Sequence, residues 1–267
     1  MNTGRPMDEN LKEQRIGLCK KNKNGDLMTI IKYGGVRNIS VIFENGQIVN
    51  NRLYKDFIEG SIKMPMTKTV FGHGIVDDKN LVWNNKNKQI LKSYQHWTGM
   101  LERCFDKKLH KKHPTYIGCK IFDDWIYLSK FTEWFNENYY EIPNCQYRME
   151  LDKDILSRYY FNNIKIYSPN TATFVPRDLN LLLCKRDRYR GDLPIGVTEC
   201  NKGGYTARLN IDGVRRYLGY RQSPIDAFEL YKNAKEEEVK RKANLYKKYL
   251  PEKVYVALMN YRVNISD

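Results

Sequence analysis

The pair Asp212-Gly213, set between two runs of alternating apolar and polar residues, constrains this chain more than any other feature. Such a pair accepts the left-handed backbone of a two-residue hairpin, and the flanking alternation fixes which side chains share a face. Strands are expected near 195–199, 205–210 and 214–219. Ser223-Pro224 then opens a helix: serine caps free N–H groups, proline suits the first turn, and Asp226 lies near the positive end. Ala227, Phe228, Tyr231 and Ala234 form the inner face of that helix. Ala207 and Leu209 point toward it, which leaves Thr206, Arg208, Asn210, Arg215 and Tyr217 on the open side of a three-stranded sheet. A β-ribbon fits the DNA major groove, where arginine forks onto guanine and asparagine onto adenine.

Charge agrees with that partner. Lys and Arg number 46 against 31 Asp and Glu, a formal +15, and an excess of this size favours a polyanion. Double-stranded DNA is therefore the expected partner, and 20 tyrosines speak for packed cores and stacking surfaces rather than a disordered basic tail. No run approaches the ~20 apolar residues that cross a bilayer, and the start MNTGRPMDENLKEQR has no apolar signal core. The expectation is a soluble protein of the cytoplasm, with no membrane partner. Its six cysteines lack the close pairs of zinc knuckles or a disulfide framework and read as free thiols.

The rest of the chain divides by pattern into an α+β protein. Residues 12–66 carry short β-rich runs, with Ile39, Val41 and Phe43 alternating with polar residues before Asn45-Gly46, and predict a small β-barrel with one added helical turn ending at Gly60, the unit ending at Pro65. Residues 67–88 read as a linker in which His73 is a loop histidine. From 89 the spacing turns helical. Leu91, Tyr94, Trp97, Leu101 and Phe105 form one amphipathic stripe; Trp125, Leu128, Phe131, Trp134 and Phe135 form a second. Between them HKKHPTYIGCKIF offers Lys111 and Lys112 as phosphate contacts beside His110 and His113.

Residues 193–245 resemble the plant ethylene-response-factor (Apetala-type) DNA-binding family, also found in phage and mobile-element proteins. The likeness rests on Gly196-Val197, Gly204-Tyr205 before Ala207, Leu218-Gly219, and Ala227 through Tyr231. It implies that Thr198, Cys200, Arg208, Asn210, Arg215 and Tyr217 touch DNA. Thr198 and Cys200 stand where arginines are common and Tyr217 where tryptophan is, so the preferred sequence does not transfer.

Residues 94–182 are similar to phage HNH-type proteins. They share Trp97-x-x-Met100-x-x-Arg103-Cys104, a tryptophan-bearing helix, a strand ending at Asp152, and Tyr167-Ser168-Pro169-Asn170 leading to Asn180. The resemblance implies a ββα-metal module with Asp152, Lys153, Asn170 and Asn180 at the catalytic positions and Asp152 with Asp154 holding Mg2+. An HNH enzyme uses a neutral imidazole to activate water beside a divalent metal. Lys153 stands where that imidazole belongs, and a protonated lysine is a poor base. The reading favoured is a phage- or mobile-element-type, catalytically degenerate module that grips DNA in a bacterial host cell, linked to a DNA reader at residues 193–250. Two alternatives stand beside it. One is a homing or nicking endonuclease that recruits another histidine, from among His96, His110 and His113. The other is an inhibitor that engages a host defence protein or ribonucleoprotein.

Overall fold

The computed structural model describes residues 9–184, 192–201 and 203–267. The chain is mixed α+β with several small sheets, and among the described residues no helix is long and apolar enough to cross a membrane. It falls into two compact units, one of residues 1–69 with 75–77 and one of 70–74 with 78–267.

In the first unit α1 (Glu9–Arg15) precedes four antiparallel strands, β1 (Cys19–Lys21), β2 (Leu27–Tyr33), β3 (Ile39–Phe43) and β4 (Ile48–Arg52), in that order across the sheet. The expected barrel is not closed: β1 and β4 remain edges. Among the described residues β1 pairs only with β2 and β4 only with β3, and no further strand bridges the two edges. Met28, Ile30, Ile39, Val41 and Phe43 are buried against Phe57 of α2 (Tyr54–Ile58), and Gly60 follows with φ +65°. The Asn45-Gly46 turn also departs from expectation. Phe43 N–H donates to the Gln47 carbonyl at 2.9 Å, so three residues form the loop. Only Gly46 has positive φ, because Asn45 instead accepts the Gln47 N–H on its side chain at 3.1 Å.

The stretch 67–88 carries β5 (Lys68–Val70), β6 (Gly74–Ile75) and β7 (Trp83–Asn84); β7 pairs with β8 (Gln89–Ile90). His73 lies flat on Phe105, ring centres 3.7 Å apart. A side chain at Gly74 would meet Leu101 and Trp97 within 2.9 Å, which reserves that position for glycine.

The aromatic stripes lie in a core. In α3 (Lys92–Phe105) Trp97, Met100 and Leu101 are fully buried; after the short α4 (Lys107–Lys112) and β9 (Lys120–Ile121), α5 (Leu128–Asn138) buries Leu128, Phe131 and Phe135. The Trp97 indole N–H donates to the Trp125 carbonyl at 2.7 Å, which satisfies that buried donor.

Next come β10 (Met149–Asp152), α6 (Asp154–Tyr160), β11 (Ile166–Tyr167), β12 (Thr173–Pro176) and α7 (Arg177–Leu183). β10 pairs antiparallel with β12, Asp152 opposite Thr173, while β11 pairs parallel with β9. The last sheet is β13 (Val197–Glu199), β14 (Tyr205–Ile211) and β15 (Val214–Arg221), followed by α8 (Pro224–Tyr246), capped by the Ser223 hydroxyl, and by α9 (Glu252–Met259). Asp212 and Gly213 both take positive φ, +53° and +83°, as a two-residue hairpin demands.

One core runs through all of this. Leu156 of α6, Val175 of β12 and Leu179 of α7 belong to the same buried cluster as Ala207, Leu209, Phe228, Val239 and Val254. Charge ties the same parts together: the buried Lys242 of α8 donates to Asp178 of α7 and, at 2.7 Å, to Asp212 in the hairpin turn. Tyr246 adds a bond to Asp178 at 2.9 Å.

Candidate nucleic-acid interface

The C-terminal sheet presents its polar face by register. Arg208 stands opposite Tyr217 and Asn210 opposite Arg215, and cross-strand partners project to the same side. All four are exposed, Tyr217 by 60%, and none makes a side-chain hydrogen bond or ion pair to another described residue. The opposite side carries Ala207 and Leu209 into the core with Phe228 and Tyr231. Thr198 stands opposite Thr206; Thr206, expected in the open, is buried, with its Oγ1 donating to the Thr198 carbonyl at 3.3 Å, and Cys200 follows two residues after Thr198. A cleft of about 350 Å3 borders this face, lined by Thr198, Arg208, Asn210 and Arg215 together with Leu181 and Cys184 near the end of α7.

Tyr220 also belongs to this face, and strict alternation from Tyr217 misses it. The pairing slips between Ala207 and Arg208, so Leu218 is an extra residue and Thr206 stands opposite Tyr220. Gly219, at φ +143°, was the available signal, since a glycine inside a strand marks a bulge. The Tyr220 hydroxyl donates to the Gly203 carbonyl at 3.2 Å. A Cβ at Gly204 would lie 2.2 Å from that hydroxyl, and one at Gly196 only 2.0 Å from the Tyr231 ring. Both glycines have φ near +75°, so two observations explain why the segment needs them.

The Asp152 corner is built differently. Asp152, 8% exposed, ends β10, and its Oδ1 accepts the N–H groups of Asp154 and Ile155 at 2.8 Å each, capping α6. Burial, then the Asp154 charge, push its carboxyl up to about 6 against the pull of those N–H groups and of Lys153. Lys153 is only 4% exposed; its ammonium donates to Asp154 at 2.6 Å and lies 5.5 Å from the Tyr167 ring centre. Burial works against that ammonium, but the Asp154 carboxylate outweighs it and holds the pKa above its ordinary value. Asn180 of α7 donates to Glu150 at 2.8 Å, a carboxylate already shared with Arg148 and Arg177. Asn170 is exposed between β11 and β12.

Magnesium takes near-octahedral oxygen ligands and keeps several waters. These residues do not fit it. Asp152 is committed to the backbone, Asp154 to an ammonium, and among the described residues no three His, Cys, Asp or Glu converge as a metal set.

The histidines lie elsewhere. His96 packs against Phe174, Phe135 and Tyr139 at 5.1–5.8 Å; burial and the charges of Arg103 and Arg148 lower its pKa to about 4, so the ring is neutral. His110 Nε2 is 2.9 Å from the Arg103 carbonyl, and the exposed His113 ring lies 6.2 Å from that of Tyr116. Arg103 comes to the corner instead, 5.3 Å from the Tyr167 ring centre, with a buried Nε that has no hydrogen-bond partner. Lys111 and Lys112 are exposed on α4. No protein-family model, curated protein or solved structure matches this chain.

Proposed function

We propose that this chain is a sequence-directed double-stranded DNA-binding protein of phage or mobile-element type. Its Apetala-type C-terminal sheet lies in the major groove, and a degenerate HNH-like frame stands behind it. The observation that carries this reading is the set Arg208, Asn210, Arg215 and Tyr217, in register on one exposed face with no partner among the described residues. A forked guanidinium and a carboxamide are the groups that discriminate guanine and adenine edges. The order β10, β12, α7, with Asp152 at a strand end and Asn180 on the helix, supports kinship with the ββα frame. The commitment of Asp152, Lys153 and Asn180 to protein partners supports its loss of cutting chemistry.

Selection from a randomised duplex library, followed by titration of the enriched site, tests the reading. Enrichment of a defined site is expected. So is a loss of about 1,000-fold in affinity between 50 and 200 mM salt, the response to roughly six displaced phosphate counterions. Absence of enrichment together with a flat salt response contradicts it. Supercoiled plasmid with Mg2+ or Mn2+ should stay uncut; nicking abolished by Asp152→Ala would replace this reading with the endonuclease.

A further inference from the structure

A second surface of the molecule is not absorbed by duplex binding. Where α6 ends, Tyr159, Tyr160, Phe161 and Ile164 are each 37–47% exposed, four large apolar side chains within six positions. Their backbone is held. Asn163 N–H donates to the Ser157 carbonyl at 3.1 Å, Ile164 N–H to the Phe161 carbonyl at 3.2 Å, and the Tyr160 hydroxyl to the Lys253 carbonyl at 3.2 Å. Asn162 and Asn163 both take the left-handed region, φ +50° and +58°, a strained pair that fixes the chain as it turns.

Lysines adjoin this ledge in sequence and across the β9–β11 pairing. Lys165 follows it directly, its ammonium 3.3 Å from the Thr115 carbonyl and 3.5 Å from that of Ile117, and Lys120 N–H donates to the Lys165 carbonyl at 2.8 Å. That joins the ledge to the segment after α4 and to the exposed Lys120; on α4 itself Lys107 and Lys111 are exposed and make no ion pair with a described carboxylate. Neither stretch contains an acidic residue: there is none from 107 to 122 and none from 155 to 177.

Exposed aromatic rings beside lysines match the chemistry of an unpaired strand, whose bases stack on rings while its phosphates meet ammonium groups. Duplex bases are already stacked on each other and cannot use the rings. We infer that the Tyr159–Ile164 ledge and the lysines of 107–120 and Lys165 form a binding site for single-stranded nucleic acid, separate from the sheet face that takes a duplex. Tyr159 and Phe161 supply the stacking rings; Tyr160 is the tethered one.

The test titrates full-length protein into fluorescein-labelled 15-mers of thymidine and of uridine, with an abasic 15-mer of equal charge and a duplex as controls. Thymidine or uridine strands are expected to bind at least about tenfold more tightly than the abasic strand, since each stacked base contributes about that factor. Binding of only one of the two names the source as DNA or RNA. Tyr159→Ala with Phe161→Ala should remove that advantage and leave duplex affinity unchanged, so failure here is separable from failure at the sheet. If the alanines lower the melting temperature, Tyr159→Phe with Phe161→Tyr keeps the rings and must keep the binding. Photocrosslinking to 5-bromodeoxyuridine gives an independent readout, with adducts expected on Tyr159 or Phe161. Equal affinity for abasic and base-bearing strands, unchanged affinity in the alanine variant, or adducts confined to other residues would overturn the site and leave the ledge to a protein partner.

Discussion

The Asp152–Asp154 corner and the open face of the C-terminal sheet hold the same kinds of group, cations beside hydrogen-bonding side chains, yet dispose of them in opposite ways. In the corner three such groups are consumed by the protein itself: Asp152 caps α6, Lys153 pairs with Asp154, and Asn180 bonds to Glu150. On the sheet Arg208, Asn210 and Arg215 remain exposed and have no partner among the described residues. A polar group in the first arrangement contributes to folding; one in the second is free to contribute to binding. Residue type alone does not distinguish them, whereas burial and partners do.

That contrast is exposed to experiment, and its largest consequence is in affinity. Arg208→Ala or Arg215→Ala should each weaken binding to a selected duplex by about 10- to 100-fold, the value of a forked arginine on guanine. Lys153→Met should change it less than about twofold, because the buried ammonium reaches no phosphate. Fluorescence anisotropy measures both, and equal losses would erase the distinction.

Stability should show the converse. Asp152→Ala deprives two N–H groups of their acceptor and should cost about 1–2 kcal/mol in urea unfolding, while the two arginine variants should cost almost nothing. Asp152→Asn keeps the acceptor and isolates the charge. With a folded pKa of about 6 against an ordinary 3.8, the wild-type carboxyl favours folding while protonated, and that advantage is lost as pH rises through 6. Asp152→Asn should therefore gain stability over wild type above pH 6 and none below 3.8. A variant that is less stable at pH 8 would show the corner needs its negative charge.

The smallest effect concerns the bulge. Tyr220→Ala should weaken duplex binding only about threefold, the scale of one modest contact. No change at all would put Tyr220 off the reading face.

How far the sequence carried these regions depended on how local the signal was. The Asp212-Gly213 hairpin, the Ser223-Pro224 helix start and the face of Arg208, Asn210, Arg215 and Tyr217 were legible because turn chemistry and alternation are short-range and consistent with each other. Tyr220 was lost to one extra residue in β15. The N-terminal strands were readable, but closure was not, since it depends on strand number, tilt and stagger across the whole sheet rather than on any residue. Asn45-Gly46 looked like Asp212-Gly213 and differs because Asn45 spends its side chain on Gln47. In the Asp152 corner the motif gave position without environment. Burial of Lys153 and the approach of Arg103 and Tyr167 from distant helices and strands are long-range facts. The shared core of residues 155–263 is another such fact: α9 lay outside the sequence reading, and the packing that buries Val254 and Leu258 joins segments about a hundred residues apart.

The most direct measurement is a two-by-two comparison of dissociation constants. Wild type and the Arg208→Ala, Arg215→Ala double variant are each titrated against a selected duplex and against the same duplex with 7-deazaguanine, which lacks the major-groove N7 acceptor. If guanidinium groups of β14 and β15 read guanine edges, the modified base weakens wild-type binding by about tenfold or more and leaves the double variant unaffected. Equal weakening of both proteins, or none in either, would contradict the account.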